Sequence, residues 1–444
     1  MGAEGEALRF WPVTDVGRVR DQNEDNFLVS KKLQLFVVCD GMGGHAAGEV
    51  ASSIAAKTVQ EVISQQRELL VQFEQGVGGA SRTDILRLME QAVQQACNAV
   101  YQEGQRDETK RGMGTTLDAM LILGERGFIG HVGDSRVYLY RQGSVHQLTE
   151  DHSLINELLR RGRLSRDQID QLQQKNAVTR AVGVYESVEV DTLDFDVLRG
   201  DRFLLCSDGL HGYFEQAELA KLFAGTPEDA LAQKLVDLSN ERGGKDNITA
   251  IVIKVPDAES GVDRLAREVN LKMEVLHKMP LFRHLTYQEL VRVMNLTKVK
   301  QYNTDEEVVA EGADGDELFI VLTGKVRVES AKAPIAELGP GEHFGEMALV
   351  DKAPRSADIV AAEPSSLLSI KRRDFFDIIR RDHPIAVKLL WSFLGVLTER
   401  LRNTSRELGA ARDPKSGALN LGGPALSEVN SLLDALVGSD ESER

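Results

Sequence analysis

The stretch LQLFVVCDGMGGHAAGEVAS (33–52) decides how the first part of this 444-residue chain folds. Its opening run is apolar, too short for a helix, and stops at Asp40-Gly41, so it reads as a strand. Beyond the glycines the period changes: Ala51, Ala55, Val59 and Val62 fall on one face of a helix. A second helix is predicted where Ile85, Leu88, Met89, Ala92, Ala96 and Val100 share a face. Outward from 33–52 the same short β-rich runs recur, bounded by Gly and Asp: NFLVS (26–30), DAMLIL (118–123), GFIGHVG (127–133), VYLYR (137–141), RFLLCS (202–207) and ITAIVIKV (248–255). The helices separate groups of strands without alternating with them one for one. That pattern predicts an α+β class: an antiparallel β-sandwich flanked by helices over residues 1–256, not a doubly wound parallel sheet.

The acids of this region stand in unusual places. Asp25 precedes NFLVS, Asp40 ends LFVVC, Asp134 ends GFIGHVG, Asp208 ends FLLCS, and Asp246 opens ITAIVIKV. Taken singly, Asp40-Gly41 and Asp208-Gly209 read as turn signals at strand ends. Taken together, the five aspartates can meet on one rim of a sandwich, where like charges repel and only a cation compensates them. All-oxygen ligands without Cys or His select hard ions, Mg²⁺ or Mn²⁺. Cys39, Cys97 and Cys206 form no CxxC pair and suggest neither a disulfide frame nor a zinc site; Cys39 and Cys206 read as core thiols.

Eight segments in order resemble the metal-dependent, type 2C serine/threonine protein phosphatases, in their bacterial branch: DVGRVRDQNEDNF (15–27), VVCDGMGGHAAGEVAS (37–52), GMGTT (112–116), GHVGDSRVYLYR (130–141), LTEDHS (148–153), VTRAVG (178–183), CSDGL (206–210) and GGKDNITAIV (243–252). The resemblance covers residues 10–255 and implies two Mn²⁺ or Mg²⁺ ions. Asp40 would bridge them, with the Gly41 carbonyl on one. Asp208 and Asp246 would complete one shell, while Asp25 and Glu24 serve the other, partly through water. Asp134 with Asp208 matches a third, weaker metal position. Arg20 matches the arginine that grips the substrate phosphate, a task suited to a guanidinium fork. The implied chemistry is in-line attack by a hydroxide shared between the ions, with no phospho-enzyme. His45 is the candidate general acid for the leaving Ser or Thr oxygen, or else a structural histidine at the helix start. Met42 stands where eukaryotic relatives carry that His. Residues 153–176 look like the family's flap, although LQQKN (172–176) lacks the His-Pro of many bacterial relatives.

A polar break at 257–261 opens a linker and connecting helix (257–275), with Leu265, Val269 and Leu276 on its apolar face. From Thr297 to about Ile370 the chain is strand-like again, with Gly-rich turns. A helix follows through Ala386, Leu389, Leu390, Phe393, Leu397 and Leu401, with Pro384 in its first turn. Residues 276–404 resemble the cyclic-nucleotide-binding domain of the catabolite activator protein and of kinase regulatory subunits, which implies a jelly-roll-like β-roll with flanking helices. The resemblance rests on EGADGDELFIVLTGKVRV (311–328) and above all on GEHFGEMALVDKAPRSADIVA (341–361). It places cyclic AMP or cyclic GMP against Phe344, Gly345, Glu346, Met347, Ala348, Arg355, Ser356 and Ala357. Glu346 would accept from the ribose 2′-hydroxyl, Arg355 would pair with the cyclic phosphate, and Ser356 could add a hydroxyl contact. Trp391, Leu394 or Leu397 would cap the base, or form an ordinary apolar seam. Residues 405–444 read as a disordered tail, except that LSEVNSLLDALV (426–437) has the pattern of a short partner-binding helix.

A formal charge of −16 excludes the basic balance of a nucleic-acid binder, and no basic cluster suggests a membrane surface. The N-terminus does not read as a signal peptide and no run approaches ~18 apolar residues, so the expected location is cytoplasmic. The expected partners are phosphorylated proteins, among them serine/threonine kinases and their targets, and a cyclic nucleotide. Oligomeric state is open. Two other readings compete: a nucleotide-gated scaffold with an inert phosphatase fold, and a constitutive phosphatase whose second domain serves assembly.

Overall fold

The computed structural model describes residues 7–44, 46–160, 177–257, 263–331, 333–350 and 353–412. The chain divides into two compact units, the first closing at Ala266 and the second beginning at Arg267.

In the first unit every side chain of Leu35–Cys39 is buried, because this strand lies inside the molecule with a layer against each face. Leu35, Val37 and Cys39 pack against the helices Ala46–Gln65 and Arg82–Arg106, whose Ala51, Ala55, Val59, Ile85, Met89 and Ala96 share one core with them. Two five-stranded antiparallel sheets result. One runs in the order Arg9–Asp15, Ile248–Lys254, Arg202–Cys206, Arg136–Arg141, Ser144–Gln147. The other runs Asp191–Asp196, Arg126–Val132, Leu117–Leu123, Leu35–Cys39, Asn26–Ser30. The helix Glu228–Glu241 covers the first sheet through Leu231, Leu235 and Val236. The fold is therefore the antiparallel sandwich clad in helices that the unalternating pattern predicts.

Register explains the rim. Asn26 pairs with Cys39, so Asp25 and Asp40 stand one step past the same end of two neighbouring strands. Cys206 pairs with both Arg136 and Ala250, which brings the ends bearing Asp134, Asp208 and Asp246 together in the other sheet. Neither Asp-Gly pair is a hairpin turn. Gly41–Met42 forms a two-residue ladder with Gly114–Thr115, and Asp208 opens the short helix Asp208–His211.

The second unit holds two four-stranded antiparallel sheets. Lys298–Tyr302, Ser365–Lys371, Glu317–Thr323 and His343–Phe344 make one; Glu307–Val309, Asp358–Ala361, Val326–Ser330 and Ala333–Leu338 make the other. Phe319, Val321, Val326, Phe344, Ile359 and Leu367 fill the roll between them. The connecting helix spans Arg264–Lys278, and residues 258–262 of the expected linker lie outside the described residues. Two helices come in addition to the expected ones, Tyr287–Met294 and Arg372–Arg381. The first had a legible start: Thr286 and Glu289 form a capping box.

The last helix, His383–Arg412, begins where the Asp382 carboxylate accepts the Ile385 N–H, with Pro384 in the first turn. It corrects the expected tail boundary, since it continues beyond Thr404 to Arg412. Ser and Thr cost a growing helix only tenths of a kcal/mol each, and Glu407, Leu408, Ala410 and Ala411 are good helix formers. The segment 426–437 lies outside the described residues.

Candidate active site and nucleotide pocket

The loop 16–25 brings three of the expected residues to the rim. Gly17 turns it at φ +85°, and a Cβ there would sit 2.2 Å from the Asp246 carbonyl oxygen, so only glycine fits. Glu24 lays its carboxyl against Gly48, where a Cβ would come within 2.7 Å of the Glu24 Cδ. A Cβ on Gly41 would meet the carbonyls of Gly48 and Glu24 at 2.2 and 2.5 Å, which explains the glycine after Asp40. Arg20 donates to Asp246 Oδ2 at 2.7 Å, with half of its side chain in solvent. That hydrogen bond first, and then the charges of Asp246, Glu24 and Asp40, raise its pKa against partial burial.

The Asp40 main chain is bound on both sides by hydroxyls, its N–H donating to Thr116 Oγ1 and its carbonyl accepting from Thr115 Oγ1. Asp25 is buried and accepts from Ser207 Oγ at 2.7 Å. Asp134 is held through its neighbours. Gly133 donates to His152 Nδ1 at 3.1 Å and accepts from the His152 N–H at 2.7 Å, while His211 Nε2 contacts the Asp134 carbonyl at 2.8 Å.

Burial and mutual repulsion dominate the electrostatics of the cluster. Burial, then the charge of Asp208 and Asp246, pushes Asp25 up to about 7 against the hydrogen bonds from Thr249 and Ser207. Asp134 is pushed up to about 7 by burial first and then by Asp208 and Asp151. Asp40 is raised well above the usual carboxylate range by burial and the fields of Asp25, Asp208, Asp134 and Asp246. Asp208 rises through burial and Asp246. The structure thus gathers all five aspartates into one electrostatic unit. Among the described residues no three His, Cys, Asp or Glu side chains are already closed into an ion cage. The donor set nonetheless fits hard cations: all ligating atoms are oxygens, and the buried Asp25 Oδ1 and Asp208 Oδ1 have no hydrogen-bond partner. His45 and residues 161–176 of the expected flap lie outside the described residues.

The raised carboxyls carry a stability consequence. An acid whose folded pKa exceeds its unfolded value stabilises the fold below the unfolded pKa, and loses that contribution as pH rises towards the folded pKa. Removing the ionisable group from Asp25 (Asp25→Asn) is expected to raise the melting temperature of chelator-treated protein. That advantage over wild type should widen between about pH 4 and pH 7 and then level off. Paired thermal scans across that range check it; a difference independent of pH would contradict the shift.

In the second unit Arg355 is threaded into the roll. Its Nη2 donates to the Glu317 carbonyl at 2.8 Å, its Nε is buried without a partner, and burial lowers its pKa despite the nearby Glu317, Asp316 and Glu346 carboxylates. Two glycines make room for it: a Cβ on Gly315 would lie 2.0 Å from Nε, and one on Gly345 would lie 2.4 Å from Nη1. Gly345 also adopts φ +79°. Glu346 is buried beside this guanidinium. The other expected contacts divide. Phe344 stacks on Phe319 at 5.1 Å within the core of the roll, and Ala348 is buried. Met347 and Ser356 are exposed and Ala357 is half-buried. Of the expected capping residues, Leu394 is exposed and Trp391 and Leu397 are half-buried.

Two sheets clad in helices, with strand-end aspartates gathered at one rim, define the class of metal-dependent phosphatases, and a nucleotide-binding roll follows. The comparisons agree. Residues 18–243 match the family Protein phosphatase 2C, and residues 299–382 match the Cyclic nucleotide-binding domain. The serine/threonine phosphatase stp of Listeria innocua is 35% identical over 256 residues, spanning 56% of this chain and 97% of its own. Protein phosphatase PhpP of Streptococcus pneumoniae is 33% identical over 262 residues, spanning 56% of this chain and 98% of its own. The crystal structure of the Mycobacterium tuberculosis serine/threonine phosphatase PstP aligns with a TM-score of 0.50 and 31% identity, over 56% of this chain and 100% of that one. The chain belongs to the protein phosphatase 2C family, and it carries a cyclic nucleotide-binding domain in its second unit. Among the described residues no helix is long and apolar enough to cross a membrane.

Two residues that matter to the rim went unread in the sequence. Asn247, beside Asp246, bonds to the loop 16–25 from the neighbouring strand, and Ser207, before Asp208, bonds to Asp25 from the other sheet. The sequence marks them only as the neighbours of the rim acids, in Asp246-Asn247 and Ser207-Asp208.

Proposed function

We propose that this chain is a phosphoserine/phosphothreonine protein phosphatase that depends on Mn²⁺ or Mg²⁺ and whose turnover responds to cyclic AMP or cyclic GMP bound in its second unit. The observation that supports it best is the gathering of Asp25, Asp40, Asp134, Asp208 and Asp246 at one rim with two buried oxygens unpartnered. Asp40, the Gly41 carbonyl, Asp208, Asp246, Asp25 and Glu24 would hold a pair of ions, and Asp134 with Asp208 a weaker third. Bound there, divalent ions supply Lewis acidity that activates water and offsets charge on the phosphoryl oxygens. The chain's own residues do the rest. Arg20, anchored on Asp246 yet half in solvent, would turn its fork to the phosphate of the substrate and orient it. His45 would give a proton to the departing Ser or Thr oxygen. Substrates would be proteins phosphorylated by serine/threonine kinases.

Arg355 would pair with the cyclic phosphate and Glu346 with the ribose. A coupling of about 1–3 kcal/mol, or roughly 5–150-fold in affinity, is the expected scale of the response. The deciding experiment is hydrolysis of a phosphothreonine peptide with Mn²⁺, before and after exhaustive chelation. Activity should vanish on chelation and return on adding Mn²⁺. Undiminished turnover in the chelated protein would end this reading, and calorimetry that found neither nucleotide bound would end its regulatory half.

A further inference from the structure

At the rim the loop 16–25 leaves the strand Arg9–Asp15 beside the start of Ile248–Lys254, where Asp15 pairs with Ile248, and one neutral side chain fastens the loop there. Asn247 is buried, with only 4% of its surface exposed, and it carries no charge and touches no expected substrate. Its Oδ1 accepts the Glu24 N–H at 2.8 Å. Its Nδ2 donates both protons, to the carbonyls of Val16 and Gln22, each at 2.9 Å. The whole side chain is therefore committed to the main chain of one loop, the loop that bears Arg20, Glu24 and Asp25. The main chain of Asn247 faces the other way. Its N–H donates to Asp246 Oδ1 at 2.9 Å, and its carbonyl oxygen lies 2.1 Å from where a Cβ on Gly209 would be, against the start of the Asp208 helix.

One residue thus fixes the spacing between the Arg20–Asp25 loop, Asp246 and Asp208. The site needs two donors towards carbonyls and one acceptor towards an N–H, which is the inventory of a primary amide, and glutamine would carry the same groups one methylene further from the main chain. A carboxylate of the same shape would turn both donors into repulsions.

We propose that Asn247 is the positioning residue of this site, setting both the affinity for divalent ions and the placement of Arg20 against the substrate phosphate. The inference rests on the phosphatase reading above. Residues that orient ligands from behind commonly alter metal affinity or activity by about 10–100-fold when replaced, and that is the range expected here.

The test uses the full chain with Asn247→Asp and Asn247→Ala. Mn²⁺ binding, followed by calorimetry without substrate, should weaken about 10–100-fold in both. At saturating Mn²⁺ the KM for a phosphothreonine peptide should stay raised while kcat recovers to a larger extent, because the ions can be forced in but Arg20 remains displaced. Far-UV circular dichroism establishes that each variant is folded. Folded variants with wild-type Mn²⁺ affinity and KM would overturn the proposal. Should both variants fail to fold, hydrogen exchange on the wild type decides: the Glu24 amide should exchange as slowly as neighbouring strand amides, and exchange at the rate of an open loop would overturn it. Wild-type protein that took up no Mn²⁺ would instead overturn the phosphatase reading itself, so the two failures are distinct.

Discussion

Replacing Asp208 by asparagine is expected to abolish phosphatase turnover, by about 10³-fold or more, while making the metal-free protein harder to melt. Both effects have one cause. Asp208 sits half-buried at the start of a short helix with Oδ1 unpartnered, and burial together with Asp246 raises its pKa. In metal-free protein its charge adds to a repulsive cluster, so an amide there relieves strain. Towards divalent ions the same charge is what binds, and losing several kcal/mol of transition-state charge stabilisation corresponds to about three powers of ten in rate. Steady-state assays with Mn²⁺ and thermal scans in chelator provide the two readouts. Full activity in Asp208→Asn would show that the metal assignment is wrong. A lower melting temperature without metal would show that the cluster is not strained.

The second large effect is expected at Arg355. Arg355→Ala should weaken cyclic-nucleotide binding by roughly 100-fold or more, since each hydrogen bond to a charged group contributes about 1.5–3 kcal/mol and the guanidinium offers a fork of two. Its Nε is buried without a hydrogen-bond partner, and Gly315 and Gly345 leave room for the guanidinium, so a cyclic phosphate held there would give that donor an acceptor. Arg355→Lys should recover little, because an ammonium cannot reproduce the fork. Calorimetry with both nucleotides measures the loss, and turnover with and without nucleotide measures the loss of response. If Arg355→Ala bound either nucleotide as tightly as wild type, the pocket would have to lie elsewhere.

Much of this molecule is legible in its amino-acid sequence. Apolar runs bounded by Asp and Gly mark seven of the ten strands of the two sheets, missing Arg9–Asp15, Ser144–Gln147 and Asp191–Asp196, and period 3.6 marks the faces of the two long helices, whose apolar-face residues from Ala51 to Val100 are all buried. Those signals are local, a matter of which side chains can share a face. The helix Tyr287–Met294 was legible too, in the Thr286 and Glu289 capping box, but its eight residues make too short a period to stand out against strands. Composition places the end of the last helix at Thr404, because Ser, Thr and Asn resemble a linker, whereas helix propagation tolerates them and the helix runs to Arg412.

Which acids meet is a different kind of fact. That Asp25, Asp40, Asp134, Asp208 and Asp246 each stand at a strand end could be read from the chain alone. Their convergence depends on register between strands far apart in sequence, such as Asn26 with Cys39 and Cys206 with Ala250. The same holds for the three bonds of Asn247 to a loop more than 200 positions away, and for the two glycines that admit Arg355. Sequence by itself determined the elements, their burial pattern and the chemistry available at their ends, because propensity and periodicity are properties of neighbours. Only the tertiary structure decided which carboxylates raise one another's pKa and which amide holds them in place. Electrostatic coupling and hydrogen bonding depend on distances of a few ångströms, and pairing between strands sets those distances.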